Sequence, residues 1–456
     1  MKKSILICAV ATLMLSSCGI YTRYKPLTEV SAELYRENKE PVVSDTVNFG
    51  NLSWREVFAD VSLQQLIDTA LVHNADLQTA HLRVKEAEAA LMSAKLSYLP
   101  SFFLSPQGTA SSFDAAKATQ TYTLPVTASW EIDIFGRLTN AKNRAKAVYA
   151  QSLDYEQAVQ TQLIAAVANN YYTLLMLDAQ LTISIATEAT WKESVVTAKA
   201  MKTAGMMTEA GLAQTEATYY TICTTLLDLK EQINQVENAL SLLLFDAPHA
   251  IQRSTLDAQQ LPGHFSIGVP MQLLANRPDV RSAEQAVAQA FYTTNTARSA
   301  FYPTITLSGS GGWTNSAGAM ILNPGKLIAT AVASLTQPLF NKGQNVAQLK
   351  IAKAQQEQAR LSFEQTLLRA GSEVNNALVQ YQTARDKSAF YTRQVASLQN
   401  AARSTRLLMQ HGNTTYLEVL TAQQTLLTAQ LSQVANRFTE IQGLITLYQA
   451  LGGGRM

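Results

Sequence analysis

Few of the side chains able to do chemistry stand together in this chain of 456 residues. The five histidines, His73, His81, His249, His264 and His411, form no HxxxH pair and no Cys/His group with metal-holding spacing. No GxxxxGK[ST] loop is present, so any energy the protein uses must come from a partner. Gly309, Gly311 and Gly312 lie inside a strand pattern with no helix after them. They read as a strand that bends rather than as a phosphate cradle. Met201, Met206, Met207 and Met409 flank two predicted turns, where adaptable packing is favoured over soft-metal relay. The expectation is a protein without catalysis, cofactor or resident metal.

The cysteines carry a different chemistry. Lys2 and Lys3 precede an apolar run from Ile5 to Leu15, which closes on Leu15-Ser16-Ser17-Cys18. This is the pattern of a cleaved signal over 1–17, and the run is too short to span a bilayer and stay. Its last four residues resemble the bacterial lipobox, whose cysteine is acylated and becomes the mature N-terminus. Cys8 then leaves with the signal and Cys18 carries lipid. Cys223 remains without an intramolecular partner and is expected as a buried structural thiol.

Composition narrows what can position anything. Charged residues are 15%, against about 25% in ordinary soluble domains. The formal charge of +2 falls to zero once Lys2 and Lys3 are removed. With no basic run, nucleic acid is not expected as a partner. The best continuous apolar helix, 163–186, is broken by Asn169, Asn170, Asp178 and Gln180, so a crossing of the membrane would have to use strands.

One stretch supplies such a strand. From Thr121 to Ile134, Tyr122, Leu124, Val126, Ala128, Trp130, Ile132 and Ile134 alternate with Thr123, Thr127, Ser129, Glu131 and Asp133. Period-two alternation over that length is a strand with one apolar and one polar face. After Phe135-Gly136 a helical pattern runs to Gly205, a length of ~100 Å at ~1.5 Å per residue. Within it Leu163, Val167, Asn170, Leu174, Leu177 and Leu181 keep the 3.5-residue period of a left-handed coiled coil.

The chain then begins again. Leu71, Asp76, Ala80, Ala87, Ala94, Pro100, Leu104 and Ser105 recur 203 residues later as Leu274, Asp279, Ala283, Ala290, Ala297, Pro303, Leu307 and Ser308. Gly136 and Gly205 recur as Gly343 and Gly412, 207 residues later. An internal duplication is therefore expected. Its parts are an extended lipidated arm over 18–60, a first repeat over 61–245 with a hairpin at about 100–135, and a Pro/Gly-rich linker over 246–270. A second repeat follows over 271–451 with a hairpin at about 303–340, and a tail over 452–456. The second pair of helices carries its seam on Leu367, Ala370, Val374, Ala377, Tyr381 and Ala384.

WEIDIFGR at 130–137, RPDVRSAE at 277–284, ARSAFYPTITLSG at 297–309, QPLFNKGQ at 337–344 and GNTTYLEVLTAQ at 412–423 resemble the TolC-type outer membrane efflux proteins. With the lipobox, the likeness is to their lipoprotein branch, which serves RND-type tripartite pumps, and it runs in order over nearly the whole mature chain. It implies an α+β fold: a homotrimer whose protomers each give four strands to a 12-stranded transmembrane barrel, continued by a helical coiled-coil periplasmic tunnel. It implies as partners the outer membrane lipid, a periplasmic adaptor and an inner-membrane RND-type transporter, and a passive role in exporting drugs or metal ions. The residues independently require more than one copy, since four strands cannot close a barrel and open edges cannot face lipid. An exit duct for type I protein secretion and a lipid-anchored coiled-coil spacer are the alternatives. The spacer leaves the alternating strands and Trp130 and Trp313 unexplained.

The resemblance also marks a closing aperture. Glu418 matches the first of two acidic positions after the second tip, whereas Thr421 stands where the second acid falls. Met409 and Thr414 occupy the positions of a gate-latching Tyr and Arg. Glu418 reads equally as a solvated helix charge. Gly205, Met206, Gly412 and Asn413 form the tips expected to face the adaptor.

Overall fold

The structure, a computed structural model, describes residues 24–25, 52–114, 116–260, 276–314, 326–412 and 414–454. The elements are α1 (Trp54–Val57), α2 (Val61–His73), α3 (Ala75–Leu96), β1 (Ser101–Leu104), β2 (Gln107–Ser111), β3 (Thr119–Ile132), α4 (Arg137–Thr203) and α5 (Glu209–Leu243). They continue as α6 (Pro278–Ser299), β4 (Thr304–Thr314), β5 (Lys326–Thr336), α7 (Gln344–Gln410) and α8 (Tyr416–Ala450). The halves correspond helix for helix. α3 and α6 have 22 residues each, α4 and α7 have 67, and α5 and α8 have 35.

Contacts divide the chain into two units, one holding 1–30, 82–154 and 281–365, the other 31–81, 155–280 and 366–456. The first unit contains the sheet. Its strands are all antiparallel in the order β1-β3-β4-β5, with β2 also on β3. β1 and β2 are one strand in two pieces, because the register Leu104↔Val126 resumes without a slip at Gln107↔Thr123. The gap holds Pro106 opposite the stretch containing Pro125, and neither proline has an N–H to give to the ladder. On the other side of β3, Pro125 faces Gly312. A Cβ there would lie 2.2 Å from Leu124 O and 2.6 Å from Pro125 Cα. Gly312 is thus a close-approach residue, and the expected bend is not its reason.

Two strand ends differ from expectation. The alternation runs on to Ile134, but β3 stops at Ile132 because Asp133 is spent capping α4. Its carboxylate accepts from Leu138 N at 2.9 Å and Thr139 N at 2.7 Å. β5 ends at Thr336, and Gln337–Phe340 leave the sheet. The first unit also places Tyr24 against Phe291 and Tyr292, with ring centroids 5.6 and 6.3 Å apart.

In the second unit most of the heptad seam is buried as its period requires, with Asn170 and Leu181 only half-buried. Leu163, Val167, Leu174 and Leu177 on α4, and Leu367, Ala370, Val374, Ala377, Tyr381 and Ala384 on α7, are all buried. Asp60 caps α2 and gathers three further donors, Tyr171 Oη at 2.7 Å, Gln259 Nε2 at 2.8 Å and Ser254 Oγ. Burial raises its pKa, but the donors from Ser254, Tyr171 and Gln259 outweigh this and hold it below the usual carboxylate range. Arg253 joins Asp178 and Glu237 at 2.5 Å each. Residues 452–454, read above as part of the tail, are buried. Thr161 Oγ1 donates to Gly453 O at 2.7 Å, Tyr448 Oη accepts from Gly454 N at 2.8 Å, and Arg277 donates to Ala450 O at 3.0 Å.

Candidate conduit wall and helical tips

Residues opposite each other on neighbouring strands point to the same face, so the register sorts the side chains. One face collects Phe102, Leu104, Leu124, Val126, Ala128, Trp130, Leu307, Trp313, Ala331, Ala333 and Leu335. The other collects Ser101, Thr123, Thr127, Ser129, Thr306, Ser308, Ser310, Thr330 and Ser334, interrupted by apolar residues that include Phe103, Pro125 and Val332. The wet/greasy division read on β3 thus extends across all four strand passes. Leu124, Val126, Trp130 and Trp313 are exposed although apolar, which suits contact with hydrocarbon. Among the described residues no helix is long and apolar enough to cross a membrane.

The edges of the sheet are equally informative. Ser105 N donates to Pro125 O at 3.1 Å, so the odd residues of β1 and β2 bond to β3. By strict alternation, the even ones turn their backbone N–H and C=O groups outward. Carrying the same alternation through β3 and β4 leaves the odd residues of β5 facing outward. The outward set on one edge is Phe102, Leu104, Gly108 and Ala110, and on the other Leu327, Ala329, Ala331, Ala333 and Leu335. Both sets carry their side chains on the apolar face. Joining edge to edge therefore lets the outward groups pair, save at Pro106, which has no N–H, and keeps one face apolar throughout.

At the tips, Gly205 and Gly412 adopt φ of 74° and 75°, the left-handed conformation that ends a helix before a reversal. Met206 N returns to Met201 O at 2.8 Å and closes the first. Trp191, Ala198, Leu212, Ile222, Tyr416 and Leu420 pack as a core behind both, with Met201, Met207, Tyr219 and Met409 against it. Met206 is 74% exposed. Three of the four flanking methionines therefore serve packing, and among the described residues no group of His, Cys, Asp or Glu is arranged to hold a metal. Tyr416 donates to Ser194 O at 2.7 Å, tying the first turn of α8 to α4. The sequence reading missed Tyr416 and Trp191; Tyr416 lies four residues after Gly412, whereas Trp191 lies 14 residues before Gly205 and carries no local turn signal.

The candidate aperture residues are close in sequence but engaged locally. Glu418 is exposed, lies in the first turn of α8 and accepts from Thr414 Oγ1. There its charge complements the helix N-terminus. Thr421 is exposed and donates to Leu417 O at 2.9 Å. At the other tip Glu209 pairs with Lys202, whereas Glu418 has no ion pair among the described residues. Cys223 is half-buried beside Tyr219, which donates to Glu188 at 3.0 Å. It is not the fully buried thiol expected, because its helix face is only partly covered. Cys18 and Asn413 lie outside the described residues.

The model of the outer membrane efflux protein family matches residues 66–244 and 269–453. The chain is 29% identical to the cation efflux system protein CusC of Escherichia coli (strain K12), over 97% of this chain and 97% of that one. It is 28% identical to the toluene efflux pump outer membrane protein TtgC of Pseudomonas putida, over 100% of this chain and 96% of that one. A crystal structure of CusC superposes with a TM-score of 0.83, covering 92% of this chain and 99% of that chain at 29% identity. With both halves matched, and with amphipathic strands and paired long helices in place, the chain belongs to the outer membrane efflux protein family.

Proposed function

We propose that this protein is the outer-membrane exit duct of a tripartite efflux pump. Three copies close one 12-stranded barrel, and their long helices form a periplasmic tunnel that passively conducts small toxic compounds, drugs or metal ions, to the exterior. The matching edges of the sheet carry the reading. A four-pass sheet with two open edges cannot sit in lipid, and copies joined β5 to β1/β2 satisfy both edges without inverting a face. Two copies would reach the practical minimum of ~8 strands, and the resemblance to the efflux family selects three. Such a duct has no energy source of its own. A periplasmic adaptor meets the tips at Gly205, Met206, Gly412 and Asn413, and an inner-membrane RND-type transporter drives the cargo.

In this reading residues 1–17 are cleaved, Cys18 is acylated and 18–60 form the arm. The repeats over 61–245 and 271–451, joined by the 246–270 linker, each give two strand passes to the barrel. Glu418 forms a charged ring of the aperture, with Thr421, Met409 and Thr414 uncharged around it. Replacement of Cys18 by Ala abolishes palmitate labelling but leaves trimer, because the barrel is a second anchor. A mature N-terminus other than residue 18 by mass spectrometry would sink the lipidation. The duct itself is tested by heat-modifiable migration of a trimer together with conductance in a planar bilayer. A chain that gives neither is a spacer.

A further inference from the structure

Where β5 leaves the sheet it exposes an apolar pair: Leu339 and Phe340 are 94% and 86% exposed. Their segment is nevertheless tied down. Gln337 Nε2 donates to Phe301 O at 3.1 Å, Asn345 Nδ2 to Ala300 O at 2.9 Å, and Gln344 N to Asn341 O at 2.8 Å. Lys342 and Gly343 are both left-handed, with φ of 47° and 77°, a conformation rare for lysine and kept where its surroundings fix it. Fastened on both sides, the segment holds two large apolar side chains away from its own protomer. A second uncovered set lies at the same end of the opposite edge, where Leu96 closes α3 and Leu99 and Phe102 follow, all exposed. Both sets lie toward the row of Ile132, Ile305 and Leu335, from which Ser101 is three residues away through Ser129. Within one protomer they are three strand spacings apart, ~14 Å, so neither covers the other.

Between copies they meet. β5 has 11 residues and β1 with β2 spans 101–111, the same length. Full overlap, with the outward odd residues of β5 against the outward even ones of β1 and β2, sets Leu335 beside Phe102 and Thr336 beside Ser101 of the next copy. Continued past the strands, this register brings Leu339 and Phe340 to positions 97–98, between Leu96 and Leu99 of the next copy. Hydrocarbon suits the pair less well. The row of Glu131, Thr306 and Ser334 lies between this segment and the centre of the sheet, and Glu131 there pairs with Arg137. That ion pair marks the polar border of the wall, beyond which uncovered apolar side chains would meet headgroups or water. We propose that Leu339 and Phe340 form a clasp between copies, seated on Leu96 and Leu99 of the next copy at the foot of the barrel. The clasp rests on the trimeric barrel and adds to it a reason for one register. The outward edge residues are largely Gly108, Ala110, Ala329, Ala331 and Ala333, and a slip of two residues along them keeps every face, so backbone pairing alone specifies register weakly.

The test is cross-linking of the full-length protein in detergent, with Cys223→Ser as background and each single cysteine variant as control. Leu339→Cys with Leu99→Cys, treated with a short bismaleimide, should give covalent dimers and trimers on a denaturing gel. Leu339→Cys with Leu82→Cys, exposed on α3 but ~20 Å from Leu96, should stay monomeric. Leu339→Ala with Phe340→Ala should dissociate the trimer at lower urea while helical content is retained. In vesicles of brominated phosphatidylcholine, the fluorescence added by Phe340→Trp should persist, because protein covers it. Monomer bands alone from a trimeric parent, an unchanged urea midpoint in the Ala pair, or quenching of the added fluorescence would overturn the clasp and leave the duct standing. A parent that shows no trimer removes barrel and clasp together.

Discussion

Replacing Val126 or its neighbour Thr127 by Arg tests the two-faced wall most directly. β3 has 14 residues, and Val126 is one of its two central positions beside Pro125. At ~3.4 Å per residue the strand is ~47 Å long, and a tilt of ~40° leaves ~36 Å along the membrane normal. That exceeds the ~25 Å apolar band, so the strand centre falls near the midplane. Val126 opposes Leu104 and Gly311 on the apolar face, while Thr127 opposes Phe103 and Ser310 on the other. Depth is the same and only the face differs. An Arg on the lipid face near midplane costs ~2–4 kcal/mol per copy, hence ~6–12 kcal/mol for three copies in one barrel. An Arg on the wet face costs within ~1 kcal/mol. The assay is the heat-modifiable trimer fraction in phosphatidylcholine bilayers across a urea series. Val126→Arg should lose the trimer at much lower urea, and Thr127→Arg should track the parent. Equal tolerance, or equal loss, would mean that the faces are misassigned or that the sheet does not enter lipid.

Gly312→Ala should destabilise the trimer by more than ~3 kcal/mol, since its Cβ would overlap β3, whereas Gly311→Ala, with nothing within 4 Å, should stay within ~0.5 kcal/mol by thermal melting. Asp60→Asn should cost ~2–4 kcal/mol in urea unfolding by weakening the bonds from Tyr171, Ser254 and Gln259. Because the folded state holds the Asp60 pKa down, its stabilisation is present above the ordinary carboxylate pKa and is lost as pH falls through the depressed value. The Asn variant should therefore show a smaller drop in stability as pH falls below the ordinary carboxylate range. Glu418→Gln should lower cation selectivity and divalent block in a planar bilayer with little loss of trimer, and Thr421→Asp should raise both. Unchanged selectivity in the Gln variant would make Glu418 a helix-capping charge alone.

The sequence alone determined what depends on local period and on repetition. Alternation from Tyr122 to Ile132 is a property of one strand, and the 3.5-residue spacing of Leu163 to Leu177 and Leu367 to Ala384 is a property of one helix face. Neither needs a partner's coordinates to be read. The offsets linking Gly136 with Gly343 and Gly205 with Gly412 likewise announced two matching halves, and α4 and α7 agree in length to the residue. What only the tertiary structure decided rests on pairs distant in the chain. The approach of Pro125 to Gly312 depends on β3–β4 register, which no single strand encodes. The alternation overran into Asp133 because a polar residue in strand phase looks the same whether it faces a lumen or caps a helix. Burial of Gly452–Gly454 could not be read because glycine has no side chain to signal it, and their pocket is built by Thr161 and Tyr448.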